Sequence, residues 1–182
     1  RYYNLIATNN WQVDVDELKQ QDLSKVKLMW INYPHMPTGA KGAKEMFEGL
    51  IKLAEENDFL LCNDNPYSLI LNDSPSSIMA LPGAKEVTLE LNSFSKSHNM
   101  AGWRIGWVTA HEQYINAILK VKSNIDSGMF LPVQHAAVEA LNNSPEWYKL
   151  QNSAYQKRQK IAWQIMDEIG ASYDRDNVGK IG

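Results

Sequence analysis

Three short polar stretches carry the residue types that could do chemistry. The first, "NYPHMPTGA" at residues 32–40, has two prolines that force extended or tightly turned backbone. Its Gly39 allows a close approach just before a helix. The second, "CNDNPYSLI" at 62–70, sets Asp64 at the end of an apolar run with Tyr67 one short turn beyond. The third, "SFSKSHNMAGWRIGW" at 93–107, holds Lys96 behind Ser93 and Ser95 and follows them with Arg104. Serine hydroxyls and a guanidinium suit a phosphate, and a lysine in the same turn offers an amine. An acid at the tip of a buried strand must be hydrated, capped into its loop, or facing a cation. Each stretch also has a plain structural account: a strand-to-helix turn, an Asx-type turn among Asn63, Asp64, Asn65 and Pro66, and a polar loop with a solvated lysine.

The elements that must position these stretches alternate between apolar runs and amphipathic segments. "KVKLMWIN" (25–32) has the pattern of a strand buried on both faces. Residues 42–57 follow, with Met46, Phe47, Leu50, Ile51 and Ala54 at helical spacing. "DFLLCN" (58–63), "EVTLELN" (86–92) and "RIGWVTA" (104–110) are further expected strands, and helices are expected over about 111–126, 132–142 and 145–170. Strand, helix, strand, loop, strand is the order of an α/β fold, a mostly parallel sheet covered by helices. In such sheets functional residues gather on loops at the carboxyl ends of the strands. All three polar stretches are expected there.

Taken together, the stretches supply what one cofactor needs. Pyridoxal 5'-phosphate carries an aldehyde, a ring nitrogen, a phenolic oxygen and a phosphate. The aldehyde calls for a lysine to form a Schiff base, the ring nitrogen for a carboxylate, and the phosphate for serine and arginine donors. Lys96, Asp64, Tyr67, Ser93, Ser95 and Arg104 cover that set from adjacent strand ends.

The order "NYPHMPTG … DNPY … SFSKSHNMAGWRIGW" resembles the fold-type I aminotransferases of the aspartate aminotransferase superfamily, nearest the branch with alanine, aromatic and LL-diaminopimelate aminotransferases. "FLPVQHAAVEAL" (130–141) resembles the helix after the lysine loop in that family. The resemblance implies that Lys96 holds the cofactor and serves as the catalytic base, that Asp64 pairs with the ring nitrogen, and that Tyr67 bonds the phenolic oxygen. It assigns Ser93, Ser95 and Arg104 to the phosphate. It implies transfer of an amino group from an amino acid to a 2-oxo acid, and a homodimer. It further implies that residues 1–143 are part of the cofactor-binding large domain, and that 144–182 are a linker helix and the start of a small C-terminal domain. One position departs from the family pattern: Met36 stands where an asparagine usually precedes Pro-Thr-Gly, and a thioether cannot donate a hydrogen bond. The family often has a cis bond at this proline, so Met36–Pro37 is expected to be cis. Two alternatives keep the cofactor: a β-eliminating lyase of the same fold, and the cofactor-sensing domain of a transcriptional regulator.

Bulk properties narrow the field. Lysine and arginine number 18 against 21 aspartate and glutamate, with no run of one sign, which argues against nucleic acid or an anionic membrane as the main partner. Cys62 is alone, so no internal disulfide forms, and a reducing cytoplasm is the expected setting, with the thiol a small buried hydrophobe. No apolar stretch approaches the roughly 20 residues of a membrane-spanning helix. His35, His98, His111 and His135 lack metal-ligand spacing, so no metal site is expected. His98 is expected to face solvent, and Trp103 and Trp107 to pack in a core or interface. Both ends look cut, so the chain is expected to be a piece of something larger. Its incomplete sheet is expected to associate with itself or with the rest of its polypeptide.

Overall fold

In the computed structural model, which describes residues 1–173 and 175, an acidic cap opens the first helix. Asp14 accepts the Glu17 N–H at 2.9 Å and starts α1 (Val15–Lys19). Strand β1 (Leu28–Asn32) leads through the proline-rich loop to α2 (Lys44–Asn57). There Met46, Phe47, Leu50, Ile51, Leu53 and Ala54 bury one face. Asp58, in the left-handed region at φ 53°, turns the chain back into β2 (Leu60–Asp64). The short α3 (Ala84–Val87) precedes β3 (Thr88–Ser93), so residues 86 and 87 are helical rather than the start of the strand. The lysine sits on α4 (Phe94–Ser97), a single turn, before β4 (Gly106–Ala110).

The sheet order is β1-β2-β3-β4, with β1, β2 and β3 parallel and β4 antiparallel to β3. The expected mostly parallel sheet is therefore present, with one reversed strand at its edge. Register pairs Asn32 with Asp64 and Asp64 with Leu91, so the three parallel strands finish in line. Their following loops share one end of the sheet. At that end Gly106 lies so close to β3 that a Cβ would stand 2.5 Å from the Asn92 carbonyl oxygen, which only glycine avoids.

Leu50 on α2 and Leu61 on β2 are wholly enclosed and anchor the main core with Ile31, Phe59 and Ile78. Each such leucine contributes roughly 1.5–3 kcal/mol of burial. The two-faced burial expected of β1 is not found. Ile31 is buried under α2, but Leu28 and Trp30 on the opposite face are 45% and 53% exposed. β1 is an edge strand, and its second face borders a cavity of about 770 Å³ lined by Tyr3, Val26, Leu28 and Trp30 among others. Three helices complete the chain: α5 (Glu112–Ile125), α6 (Leu131–Leu141) and α7 (Pro145–Glu168). All three stand within about two residues of the expected spans. Ser144 caps α7 by accepting the Trp147 N–H, and Pro145 opens it without wasting a donor. The expected unit at 144–182 falls partly outside the described residues.

Candidate functional site

The second stretch places its carboxylate and phenol together. Asp64 ends β2, and the Asn65 N–H donates to the Leu91 carbonyl at 2.8 Å, holding the loop against β3. Asp64 is exposed at the strand tip, yet partial burial pushes its carboxyl up, and it forms no ion pair among the described residues. The Tyr67 phenol is raised too, first by burial and then by the negative charge of Asp64. Lys96 Nζ stands 5.9 Å from the centroid of the Tyr67 ring. The phenol of Tyr67 thus neighbours the amine and feels the charge of the carboxylate at the carboxyl end of the sheet.

The third stretch is bent around its serines. Ser93 Oγ accepts the Ser95 N–H at 3.1 Å, capping the turn that carries Lys96. The Ser93–Gly106 pairing continues through the Phe94 N–H, which donates to the Ile105 carbonyl at 3.2 Å. Arg104 precedes Ile105 and closes a one-turn 3-10 helix ahead of β4. Its backbone is in the left-handed region at φ 52°, and its exposed guanidinium donates to the Ala101 carbonyl at 3.0 Å. Ser93 and Ser95 thus frame the lysine turn, and the Phe94–Ile105 bond ties that turn to the residue after Arg104.

The first stretch closes the same end. Asn32 Nδ2 donates to the Asp64 carbonyl at 2.7 Å while its Oδ1 accepts the Met36 N–H at 2.8 Å. One side chain therefore ties the proline loop to the acid. Met36–Pro37 is cis as expected, and Tyr33–Pro34 is cis as well. The Met36 thioether is half exposed, and His35 Nδ1 is engaged with Thr38 Oγ1 at 2.8 Å. Cys62 is buried, and its thiol is pushed up to about 11 by that burial, in keeping with a small inert hydrophobe.

Several supporting residues escaped the sequence reading. Asn63, beside Asp64, accepts the Tyr33 N–H and donates to Glu90, which is 3% exposed. The Glu90 carboxylate also accepts from Ser77 Oγ, the Ile78 N–H and Asn92 Nδ2, tying β2, β3 and the end of the segment after Tyr67 together. Asn63, Glu90 and Asn92 are polar at inward strand positions, and that pattern was the available signal. His98 does not face solvent. It is buried between Phe94 and Trp147, its Nδ1 lies 2.8 Å from Ser97 Oγ and its Nε2 lies 2.9 Å from the Tyr148 hydroxyl. The cover comes from α7, far along the chain, which a local pattern does not reveal. Trp107 packs edge-on against Phe94 as expected, whereas Trp103 is half exposed.

These groups form a complementary set. A strand-tip carboxylate with no cation among the described residues suits a ring N–H⁺, the nearby phenol suits a phenolic oxygen, and the amine suits an aldehyde. The serines and the arginine suit a phosphate. The donor set fits pyridoxal 5'-phosphate.

Comparison with known proteins bears on the whole chain. The family described as aminotransferase class I and II matches residues 1–178. The chain is similar to LL-diaminopimelate aminotransferase of Natranaerobius thermophilus, 41% identical over 164 residues that cover 89% of this chain and 42% of that protein. The protein of the same name from Aquifex aeolicus is 37% identical over 171 residues, covering 93% and 44%. Among solved structures, apo-BacF of Bacillus subtilis superposes with a TM-score of 0.86 at 32% identity, covering 91% of this chain and 42% of that one. Aspartate aminotransferase of Thermotoga maritima gives a TM-score of 0.85 at 27% identity, covering 96% and 46%. The chain spans less than half the length of each of these relatives.

Proposed function

The chain belongs to the class I and II aminotransferases, and from that premise we propose that it forms the cofactor-holding part of an enzyme moving an amino group between an amino acid and a 2-oxo acid. The observation that carries the proposal is Lys96 Nζ standing 5.9 Å from the ring of Tyr67, a phenol that also feels the charge of Asp64. Relatives named LL-diaminopimelate aminotransferase make LL-diaminopimelate the first amino donor to test.

Bound pyridoxal 5'-phosphate supplies an aldehyde that exchanges with the amino group of the amino acid and a ring that accepts the electron pair left at its α-carbon. Asp64 would face the ring nitrogen and keep its proton in place, which a carboxylate does by favouring the cation beside it. Tyr67 would donate to the phenolic oxygen. Ser93, Ser95 and Arg104 would hold the phosphate, with Arg104 giving up its bond to the Ala101 carbonyl or sharing it. Lys96 would be the covalent anchor and, once released by the incoming amine, the base that takes the α-proton and returns it. Met36 offers no donor at its position, so Tyr67 alone would serve the phenolic oxygen from these loops.

Residues 1–143 would belong to the large domain and 144–182 to a linker helix and the start of a small domain, a division supported by the Ser144–Pro145 helix start. The full enzyme would be a cytoplasmic homodimer. Support comes from the buried free thiol of Cys62 and from exposed apolar side chains around α5 and α6, including Val121, Ile125, Phe130 and Leu131. No helix among the described residues is long and apolar enough to cross a membrane.

The test is an absorbance spectrum after addition of pyridoxal phosphate, in parent and Lys96→Ala. A visible band in the parent that the variant lacks is the expected result. Identical spectra from both, in this chain and in a full-length enzyme containing it, would overturn the assignment.

A further inference from the structure

Helix α7 reaches back to both chemical loops through two adjacent side chains. Gln151 Nε2 donates to the Ser97 carbonyl at 2.6 Å, immediately after Lys96. Asn152 accepts the Leu71 N–H at 2.9 Å and donates to the Leu69 carbonyl at 3.1 Å, just past Tyr67. Leu71 has φ 47°, in the left-handed region where a side chain is unfavourable, so its conformation needs holding from outside.

Tyr148 completes the set through His98. Ser97 Oγ donates its single proton to the Ser93 carbonyl at 3.0 Å, which can only accept. Ser97 Oγ must then accept from His98, so Nδ1 carries the imidazole proton and Nε2 accepts from the Tyr148 hydroxyl. The chain of donors runs from Tyr148 through His98 and Ser97 to the carbonyl of Ser93. Burial lowers the His98 pKa and keeps this ring neutral, as the double role requires. The carrier of Lys96, by contrast, is a helix of only four residues, and residues 65–77, around Tyr67, contain no helix or strand.

We propose that Tyr148, His98, Gln151 and Asn152 are positioning residues, a brace through which α7 sets the spacing of Lys96 from Tyr67. The sheet fixes where the two loops start, and α7 fixes where they end. Because α7 continues beyond the loops it holds, any displacement of that helix would be felt at the amine and the phenol together. The proposal rests on the functional reading above only in taking Lys96 as the reacting amine.

The experiment compares the parent chain with Tyr148→Phe, Asn152→Ala, Asn152→Asp and the Tyr148→Phe/Asn152→Ala pair. Lysines are labelled with pyridoxal phosphate and borohydride, and the rates at Lys96 and at Lys52, exposed on α2, are read by peptide mass spectrometry. The paired variant is expected to lose on the order of tenfold in the Lys96 rate, the scale of a small misplacement of a reacting group. The Lys52 rate should not move. Asn152→Asp, which can still accept the Leu71 N–H, should recover part of the loss. A Lys96 rate that stays at the parent value in the paired variant would overturn the brace. Should Lys96 in the parent label no faster than Lys52, the functional reading fails by itself. The brace is then judged on ¹⁵N shifts of the His98 ring and resonances of the Tyr67 ring. Shifts of both in the paired variant support it, and an unmoved Tyr67 overturns it.

Discussion

The sheet with α2 and the helices after β4 are built on different terms. Between β1 and β3, apolar side chains such as Leu50, Leu61 and Ile78 are enclosed by neighbours from this chain. Along α5 and α7 no residue is fully buried, and Val121, Ile125, Leu150 and Ile165 are all more than half exposed. The contrast teaches where each region gets its stability. The sheet half supplies its own core, while the helical half presents an apolar surface and holds on to the sheet half through a small cluster of Phe94, Ile105 and Ala137 and through polar contacts such as those of Gln151 and Asn152. The candidate site lies on the seam, with its loops rooted in the first region and its outer support in the second.

The sharpest way to break that contrast is to cut one leucine from each half. Leu61→Ala leaves a cavity in an enclosed core and is expected to cost about 3 kcal/mol in urea unfolding. Leu119→Ala removes a half-exposed side chain from α5 and is expected to stay within about 0.5 kcal/mol. Equal costs at the two positions would mean that the helical face is covered in solution, as self-association would cover it.

The same contrast explains what was legible in the sequence. The strand-end placement of Asp64, Tyr67 and Lys96 was legible because strand ends show in local patterns. The helices from α5 onward were legible because proline, serine and asparagine punctuate them. The direction of β4 was not, since an apolar run does not say which way its strand points. The exposure of Trp30 was hidden for a related reason: a run of apolar residues cannot show that the strand has a neighbour on one side only. His98 was misread because its burial depends on Trp147 and Tyr148, about fifty residues later. Local spacing carries no trace of such a contact.

A smaller effect is expected on β3, at Glu90. Its two carboxylate oxygens each accept two donors, and the residue is almost fully enclosed. Glu90→Gln keeps the shape but turns an NH₂ group toward two donors, whichever way the amide is placed. A loss of about 2 kcal/mol is expected in chemical unfolding, the scale of leaving buried polar groups unmatched. A neutral result would mean that water enters and satisfies the displaced donors. The sheet half would then be less closed than its leucines imply.

The smallest effect has the opposite sign and separates stability from chemistry. Burial raises the Asp64 carboxyl above its ordinary 3.8, so the folded chain takes up that proton more readily than the unfolded chain. Linkage then makes Asp64 a cost at neutral pH, where both states are ionised, and the cost is relieved as pH falls through the raised value. Asp64→Asn should therefore unfold at slightly higher urea than the parent at about pH 7, with the gap closing below about pH 4. Pyridoxal phosphate should reverse the order, because a ring cation against the carboxylate stabilises the parent and finds no charge in the variant. A variant less stable than the parent at neutral pH would mean that a cation from the protein already faces Asp64. An order unchanged by the cofactor would remove Asp64 from the ring nitrogen. The raised carboxyl at this strand end is thus itself a readout of function: an exposed acid that holds its proton more readily than in the unfolded chain gains most from a ligand that brings the positive charge.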